Sequence, residues 1–406
     1  MDHYRVLDVS AGGADPFELY DVLRRIESVL STKQYEFFNL SIGPDIPIED
    51  DEVHSWTSVL DTALSDGSTL GAVAVGNNGE LDRESGIARV EPPSDCVNAI
   101  AVGASSRVGP NWTRAPYSAL GPGRSPGLIK PDVLGFGGSS AEPFVFANDD
   151  GSASYTQGTS FAAPSVLRIG AGIRATFGSR VSPLAVKSLL IHTAEPHGTL
   201  DTSECGWGKV APDLGQVIVC RDGEARVLYE GELTAAKYIR AQIPVPNGLP
   251  AGRIELQATL CFASEVDPQD PGNYTRSGLG VTFRPHAERI SKESKSGLAE
   301  SKSFFGQGDF SPERDLRRDA HKWETVMNAS KRMLTSSLRD PVFDIHYNAR
   351  EAGHDYKTAP KIRYAMVISV RMKKVPQLYE QVLAQYPIEL RSLTPVIDVP
   401  IELDVE

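Results

Sequence analysis

Cysteine, positive charge and long apolar runs are all in short supply in this chain of 406 residues. Cys96, Cys205, Cys220 and Cys261 are too few and too scattered for a disulfide framework or a CxxC metal site, and they read as free thiols in a reducing compartment. Forty-one Lys and Arg against 53 Asp and Glu leave a net charge of −12. That balance excludes a nucleic-acid-coating or anionic-membrane surface, since both need a clustered positive field. No stretch reaches the roughly 18 to 20 apolar residues of a membrane-crossing helix. Met1-Asp2-His3-Tyr4-Arg5 carries one basic side chain and no apolar secretion core, so the expected location is cytoplasmic, with no membrane or nucleic-acid partner. Repeats of about 20 to 50 residues are missing as well. What remains, 40% hydrophobic and 23% charged, is the composition of a folded protein of two or three domains.

The pattern changes character partway along. Up to about residue 222, strand and helix signals alternate: a strand at Tyr4 to Val9; a helix capped by Asp15 and Pro16 with Glu18 at its third position and a stripe of Leu19, Val22, Leu23, Ile26, Val29 and Leu30; strands at Phe37 to Ile42 and Leu70 to Val75 with a Val53, Trp56, Leu60, Ala63, Leu64 helix between them. One strand-like run, Val97 to Val102, interrupts a loop-rich stretch from Asn78 to Thr159. Two helices follow, Phe161 to Phe177 ending at Gly178, and one started by Ser182-Pro183. This predicts an α/β layer built on a parallel sheet. From 223 onward, runs at Ala225 to Tyr229, Tyr238 to Pro244, Arg253 to Phe262, Gly280 to Phe283, Arg363 to Val370 and Val396 to Leu403 alternate between turn residues, predicting an antiparallel β-sandwich of jelly-roll type over 223–406. The polar stretch from about 286 to 355 reads as an inserted surface excursion, either partly helical or a loop.

The chemistry concentrates in Gln157-Gly158-Thr159-Ser160-Phe161-Ala162-Ala163-Pro164. A serine at a helix start presents its hydroxyl beside unpaired N–H groups and the positive end of the helix dipole, as an acyl-transfer nucleophile needs, although Gly-Thr-Ser is also an ordinary helix cap. Other segments come in a fixed order around it: Phe38-Asn39-Leu40-Ser41-Ile42-Gly43, Ala72-Val73-Ala74-Val75-Gly76-Asn77-Asn78-Gly79, Val97 to Ala104, Ser118 to Pro122, Lys130 to Val133, and Gly206-Trp207-Gly208. Together they resemble the subtilisin-like serine proteases (subtilases, peptidase family S8) over residues 1 to about 222. The resemblance implies a hydrolase that cleaves polypeptide substrates in proteolysis, with Ser160 as nucleophile and the Asn77 side chain in the oxyanion hole. It also implies that Ser41, Ile42 and Gly43 line the substrate cleft with Thr159, and that Ala74, Val75 and Gly76 wall the primary specificity pocket.

Two words of that family are absent ahead of Asn39-Leu40-Ser41-Ile42-Gly43: an Asp-Ser/Thr-Gly at a strand end and a His-Gly-Thr at a helix start. Asp8 ends a strand signal but sits where the resemblance puts an interior strand. The expectation is a catalytic layer lacking its N-terminal Asp- and His-bearing part, inactive alone because Ser160 keeps its proton without a base. The missing elements would then come from an upstream segment or a partner protein. His192, and His197 in a misplaced His197-Gly198-Thr199, are the imidazoles nearest in sequence, with a structural role the plainer reading for each. A sedolisin-like alternative places an Asp where Asn77 stands. The rival from another class is a non-catalytic, peptide- or protein-binding remnant. No cofactor is implied, and the acidic spots Asp149-Asp150 and Asp267 to Asp270 are calcium candidates whose plainer reading is a solvated loop.

Overall fold

The computed structural model describes residues 1–7, 18–235, 237–290, 300–305, 322–350 and 359–396. Four strands, β1 (Phe37–Leu40), β2 (Leu70–Ala74), β3 (Ile100–Ser105) and β4 (Val133–Phe136), pair in parallel in that order. All six positions of β3 are buried, because helices cover both faces of the sheet and neither side chain direction leads to water. On one face α1 (Glu18–Thr32) and α2 (Ser55–Ala63) bring Val22, Leu23, Ile26, Trp56 and Leu60 against Leu40 and Val73. On the other, α3 (Thr159–Phe177) and α4 (Pro183–Thr193) meet Leu70, Ala72, Ile100, Val102 and Ala104. The alternation of Ala72 and Val73 between these clusters is the period of two expected of a strand.

The helix-start grammar holds where it can be seen. Ser182 accepts the Ala185 N–H and Pro183 opens α4, while the Asp15 and Pro16 start of α1 lies outside the described residues. The strand expected at Tyr4 to Val9 does not form over its described part: residues 4–7 join no sheet, and Tyr4 instead meets Tyr35 edge-on. The loop-rich stretch before Ser160 contains β4 and an antiparallel hairpin of β5 (Phe144–Ala147) and β6 (Ala153–Thr156). Two short helices, α5 (Thr202–Cys205) and α6 (Leu214–Ile218), close this part of the chain.

Beyond them the strands turn antiparallel. β7 (Glu224–Leu233), β9 (Arg253–Phe262), β11 (Val326–Leu334) and β13 (Ile362–Arg371) form a sheet ordered β11-β9-β13-β7, and β8 (Tyr238–Gln242), β10 (Ser277–Arg284) and β12 (Val342–Ala349) form one ordered β10-β12-β8. Apolar residues of both sheets, such as Leu256, Leu260 and Met366 with Leu279, Phe343 and Ile345, share one core. The polar excursion expected at 286–355 is corrected here: β11 and β12 lie within it, and β12 is the central strand of its sheet. Asp344 explains the misreading. It is buried in mid-strand because Arg240 and Arg284 hold its two carboxylate oxygens, Arg240 Nε at 2.7 Å and Arg284 Nε at 2.6 Å, so a core strand looks charged. Helix α7 (Leu378–Gln385) was not anticipated, and the strand expected at Val396 to Leu403 falls almost wholly outside the described residues.

The two parts are not merely tethered. Every residue of α4 from Pro183 to His192 is buried, with α3 on one side and β9 and β13 on the other. Cys261, Ala365 and Val367 of those strands belong to the same apolar cluster as Ile169, Val186 and Leu190.

Candidate active site

Ser160 is the second residue of α3, a helix whose N-cap, Gly158, brings no side chain to satisfy the first N–H groups. Asn77, three residues past the end of β2, does that instead. Its Oδ1 accepts the Thr159 N–H at 3.0 Å and lies 3.1 Å from the Thr159 hydroxyl, which is also 3.2 Å from the Gly76 carbonyl. With Oδ1 so engaged, the amide nitrogen of Asn77 is the group left to donate outward. It has no acceptor among the described residues, and neither does the Ser160 N–H. Two donors therefore stand free at the positive end of a 19-residue helix, the arrangement that favours an oxyanion.

Pro164 fixes the other side of Ser160. A helical N–H bonds the carbonyl four residues back, and Pro164 has none to offer Ser160. Ser41 serves that carbonyl instead: its Oγ donates to Ser160 O at 3.2 Å, and Ser160 Oγ donates to Ser41 O at 3.5 Å. The proline inside the first turns thus links the helix start to the exit of β1.

Ser41, Ile42, Gly43, Ala74, Gly76, Asn77, Thr159 and Ser160 line one cavity of about 590 Å³. Val75 does not join them. Ala74 and Gly76 face the cavity, so the residue between them faces away, and Val75 is fully buried with Ile48, Val90, Ala101 and Ala119. Asp45, Glu80 and Glu91 also line the cavity and were not singled out by the sequence pattern. Burial, with the Asp45 carboxyl adding to it, pushes the Glu91 carboxyl up to about 8.

No imidazole among the described residues bonds Ser160. His192 is buried between α4 and the antiparallel sheet, with Nδ1 2.9 Å from Thr259 Oγ1 and Nε2 2.8 Å from Ser369 Oγ; burial and then Arg226 and Arg371 hold it well below its usual range, so it is a neutral structural ring. His197 accepts the Thr199 and Leu200 N–H groups and stacks edge-on against Trp112. His54 caps α2 by accepting the Trp56 N–H. The acidic spots are turn formers where they are seen: Asp150 accepts from Ser152, Asp267 from Gln269, and Asp270 from Asn273. No group of three or more His, Cys, Asp or Glu that could hold a metal occurs among the described residues.

The subtilase family matches this chain over residues 3–208. No curated protein sequence matches it. Among solved structures it is similar to the self-cleaved protease domain of PatA (23% identity, 48% of this chain and 65% of that one, TM-score 0.36). It is also similar to the prenylagaramide maturation protease PagA (24%, 49% and 66%, TM-score 0.39) and to the epidermin leader peptide processing serine protease EpiP of Staphylococcus aureus (19%, 51% and 56%, TM-score 0.39). The chain spans less than two thirds of the length of each of these structures.

Proposed function

We propose, from the premise that this chain belongs to the subtilase family, that it carries the nucleophile and oxyanion hole of a serine endopeptidase whose base comes from outside the described residues. One observation supports this above the rest: Asn77 and the Ser160 N–H present unpaired donors beside a serine hydroxyl that opens on a cavity. In the complete site an imidazole takes the Ser160 proton as Oγ attacks the substrate carbonyl, an Asp orients that imidazole, and the two donors hold the tetrahedral oxyanion. The imidazole then protonates the leaving amine, and water repeats the sequence to free the acyl group. The substrate runs as an added strand along Ser41 to Gly43. Among the described residues no strand pairs with the outer edge of β1, so a complementing segment bearing the Asp and His has an edge to join.

A fluorophosphonate probe tests the reading. The chain alone is expected to label no faster than its Ser160→Ala variant, and the chain supplied with an Asp-Ser/Thr-Gly and His-Gly-Thr segment is expected to label and to cleave peptides. Labelling that stays absent in the complemented form while peptides still bind would favour the second reading, a non-catalytic peptide-binding protein, which the engaged state of His192 and His197 supports.

A further inference from the structure

The walls of the Ser160 cavity are glycines for a reason that lies behind them. A Cβ on Gly76 would stand 2.3 Å from the Glu91 carboxyl carbon, and one on Gly43 would stand 2.2 Å from the Pro92 carbonyl oxygen. The segment at 91–92 therefore passes directly behind both substrate-lining strand ends, and it brings the Glu91 carboxyl against the main chain next to Asn77. Asp45, from the loop after β1, is exposed and lies near enough for its carboxyl to push the Glu91 carboxyl further up. Neither carboxyl has an ion pair among the described residues. Of the described residues lining the cavity three are acidic, Asp45, Glu80 and Glu91, and none is Lys, Arg or His.

We infer that this cavity receives a basic side chain, Arg or Lys, from the substrate residue preceding the scissile bond, with Glu91 and Asp45 as the specificity-determining pair. The inference rests on the protease reading of the cleft and names its substrate class. An apolar side chain in the same place would strip water from two carboxyls and give them no partner, which disfavours it. A guanidinium supplies five donors in a planar fork to two acceptors, the pairing that carboxylates reward most. Burial first, and the Asp45 carboxyl after it, push the Glu91 carboxyl up to about 8, so Glu91 keeps its proton at neutral pH. Binding a cation expels that proton, so affinity for a basic ligand rises with pH through this range. Asp45 and Glu80 are the other acidic side chains lining the cavity, and both favour a cation there. A resident metal ion is the weaker fit, because no three-ligand cluster of acids, His or Cys occurs among the described residues.

The experiment uses the full chain and two kinds of probe, neither needing catalysis. Benzamidine is compared with neutral, isosteric benzamide by calorimetry at pH 6 and 9, and matched tetrapeptides ending in Arg, Leu or Glu are compared by fluorescence polarisation. Benzamidine is expected to bind at least tenfold tighter than benzamide, more tightly at pH 9 than at pH 6, and the Arg peptide tightest of the three. Glu91→Gln and Asp45→Asn should each lose at least threefold for the cationic probes and nothing for the Leu peptide. Because Asp45 is exposed, its variant tests the idea even where Glu91→Gln disturbs folding. Equal binding of benzamidine and benzamide, with the Leu peptide bound as tightly as the Arg peptide, overturns the specificity and leaves the cleft reading standing. Absence of binding by every peptide overturns both.

Discussion

Asp61 is a carboxylate with no access to water, and replacing it separates two costs that are usually confounded. From α2 it accepts the backbone N–H groups of Val97 at 3.0 Å and Asn98 at 2.8 Å and the Tyr274 hydroxyl at 2.9 Å. Asn98 in turn bridges to the antiparallel part, donating to Ser264 O at 2.9 Å and accepting the Ser264 N–H at 3.1 Å. Asp61→Ala orphans three buried donors, each costing about 1–3 kcal/mol; with some relief from relaxation, a loss of about 3–5 kcal/mol is expected. At about 2.1 cal/mol/K per residue of unfolding entropy, that lowers the Tm of one cooperative unit of this size by roughly 4–6 °C. Asp61→Asn keeps one acceptor oxygen and no charge. It should lose far less than Ala, because burial already lifts the Asp61 carboxyl from its ordinary 3.8 to about 6 against the pull of its three hydrogen bonds.

The sign follows from proton counts. Below about pH 4 the group is protonated folded and unfolded, and contributes nothing. Between about 4 and 6 the unfolded chain has released a proton that the folded one still holds, so wild-type stability declines with rising pH relative to the Asn variant. The decline levels off above about 6 at a total of about 3 kcal/mol. Asp95, Cys96, Lys130 and Lys187 are the charged or titrating groups around it, and the Asn variant leaves all of them in place. Calorimetric melts of the three proteins at pH 4.5 and 7.5 decide the matter. Equal Tm losses for Ala and Asn, or an Asn–wild-type difference that does not move with pH, would refute the reasoning.

Other perturbations test the site and its surroundings. Pro164→Ala returns an N–H to the Ser160 carbonyl, in competition with Ser41, and should weaken peptide binding in the cleft while leaving stability within about 1 kcal/mol of wild type; unchanged peptide affinity would show that the Ser41 link is incidental. His192→Phe leaves Thr259 and Ser369 without a ring partner and should lower Tm without altering fluorophosphonate labelling of a complemented enzyme, whereas lost labelling at unchanged Tm would make it catalytic. Arg124→Met strands the buried Asp95 that faces it at 3.5 Å and should cost about 3–5 kcal/mol, and adding Asp95→Asn should recover part of that; a double variant no more stable than the single would contradict the pairing. Asn77→Ala in the complemented enzyme should cost about 10² to 10³ in kcat with KM little changed, read by initial rates.

Local grammar made the helix start visible: a small-residue turn, a serine and a helix-long apolar stripe are contiguous in sequence, so α3 could be placed without knowing anything distant, whereas the reading of Ser160 as a nucleophile rested on the family resemblance. Asn77 was legible only through the family resemblance, because its contact with Thr159 joins segments far apart in the chain. Glu91 carried no signal at all. It lies in a loop without periodicity, and what brings it to the cavity is the missing Cβ of Gly76. β12 was hidden for a different reason: a strand whose central Asp344 is neutralised by arginines on two neighbouring strands looks hydrophilic to any count of residue types. Val75 shows the reverse: the resemblance put it in the pocket wall with Ala74 and Gly76, and the alternation of a strand turns it away from the cavity.

The burial of α4 on every side bears on how such a molecule can be recombined. A crossover in the short connection between α6 and β7 would look harmless on a sequence map. Yet a chimera made there would transplant α3 and α4 without the backing that β9 and β13 give to α4, and would strand Leu189, Leu190 and Ile191 beside whatever foreign surface replaced them. The heritable unit around Ser160 therefore runs past the end of the parallel layer, through 253–262 and 362–371. A library of shuffled C-terminal parts should yield folded members only where those two strands travel with α4.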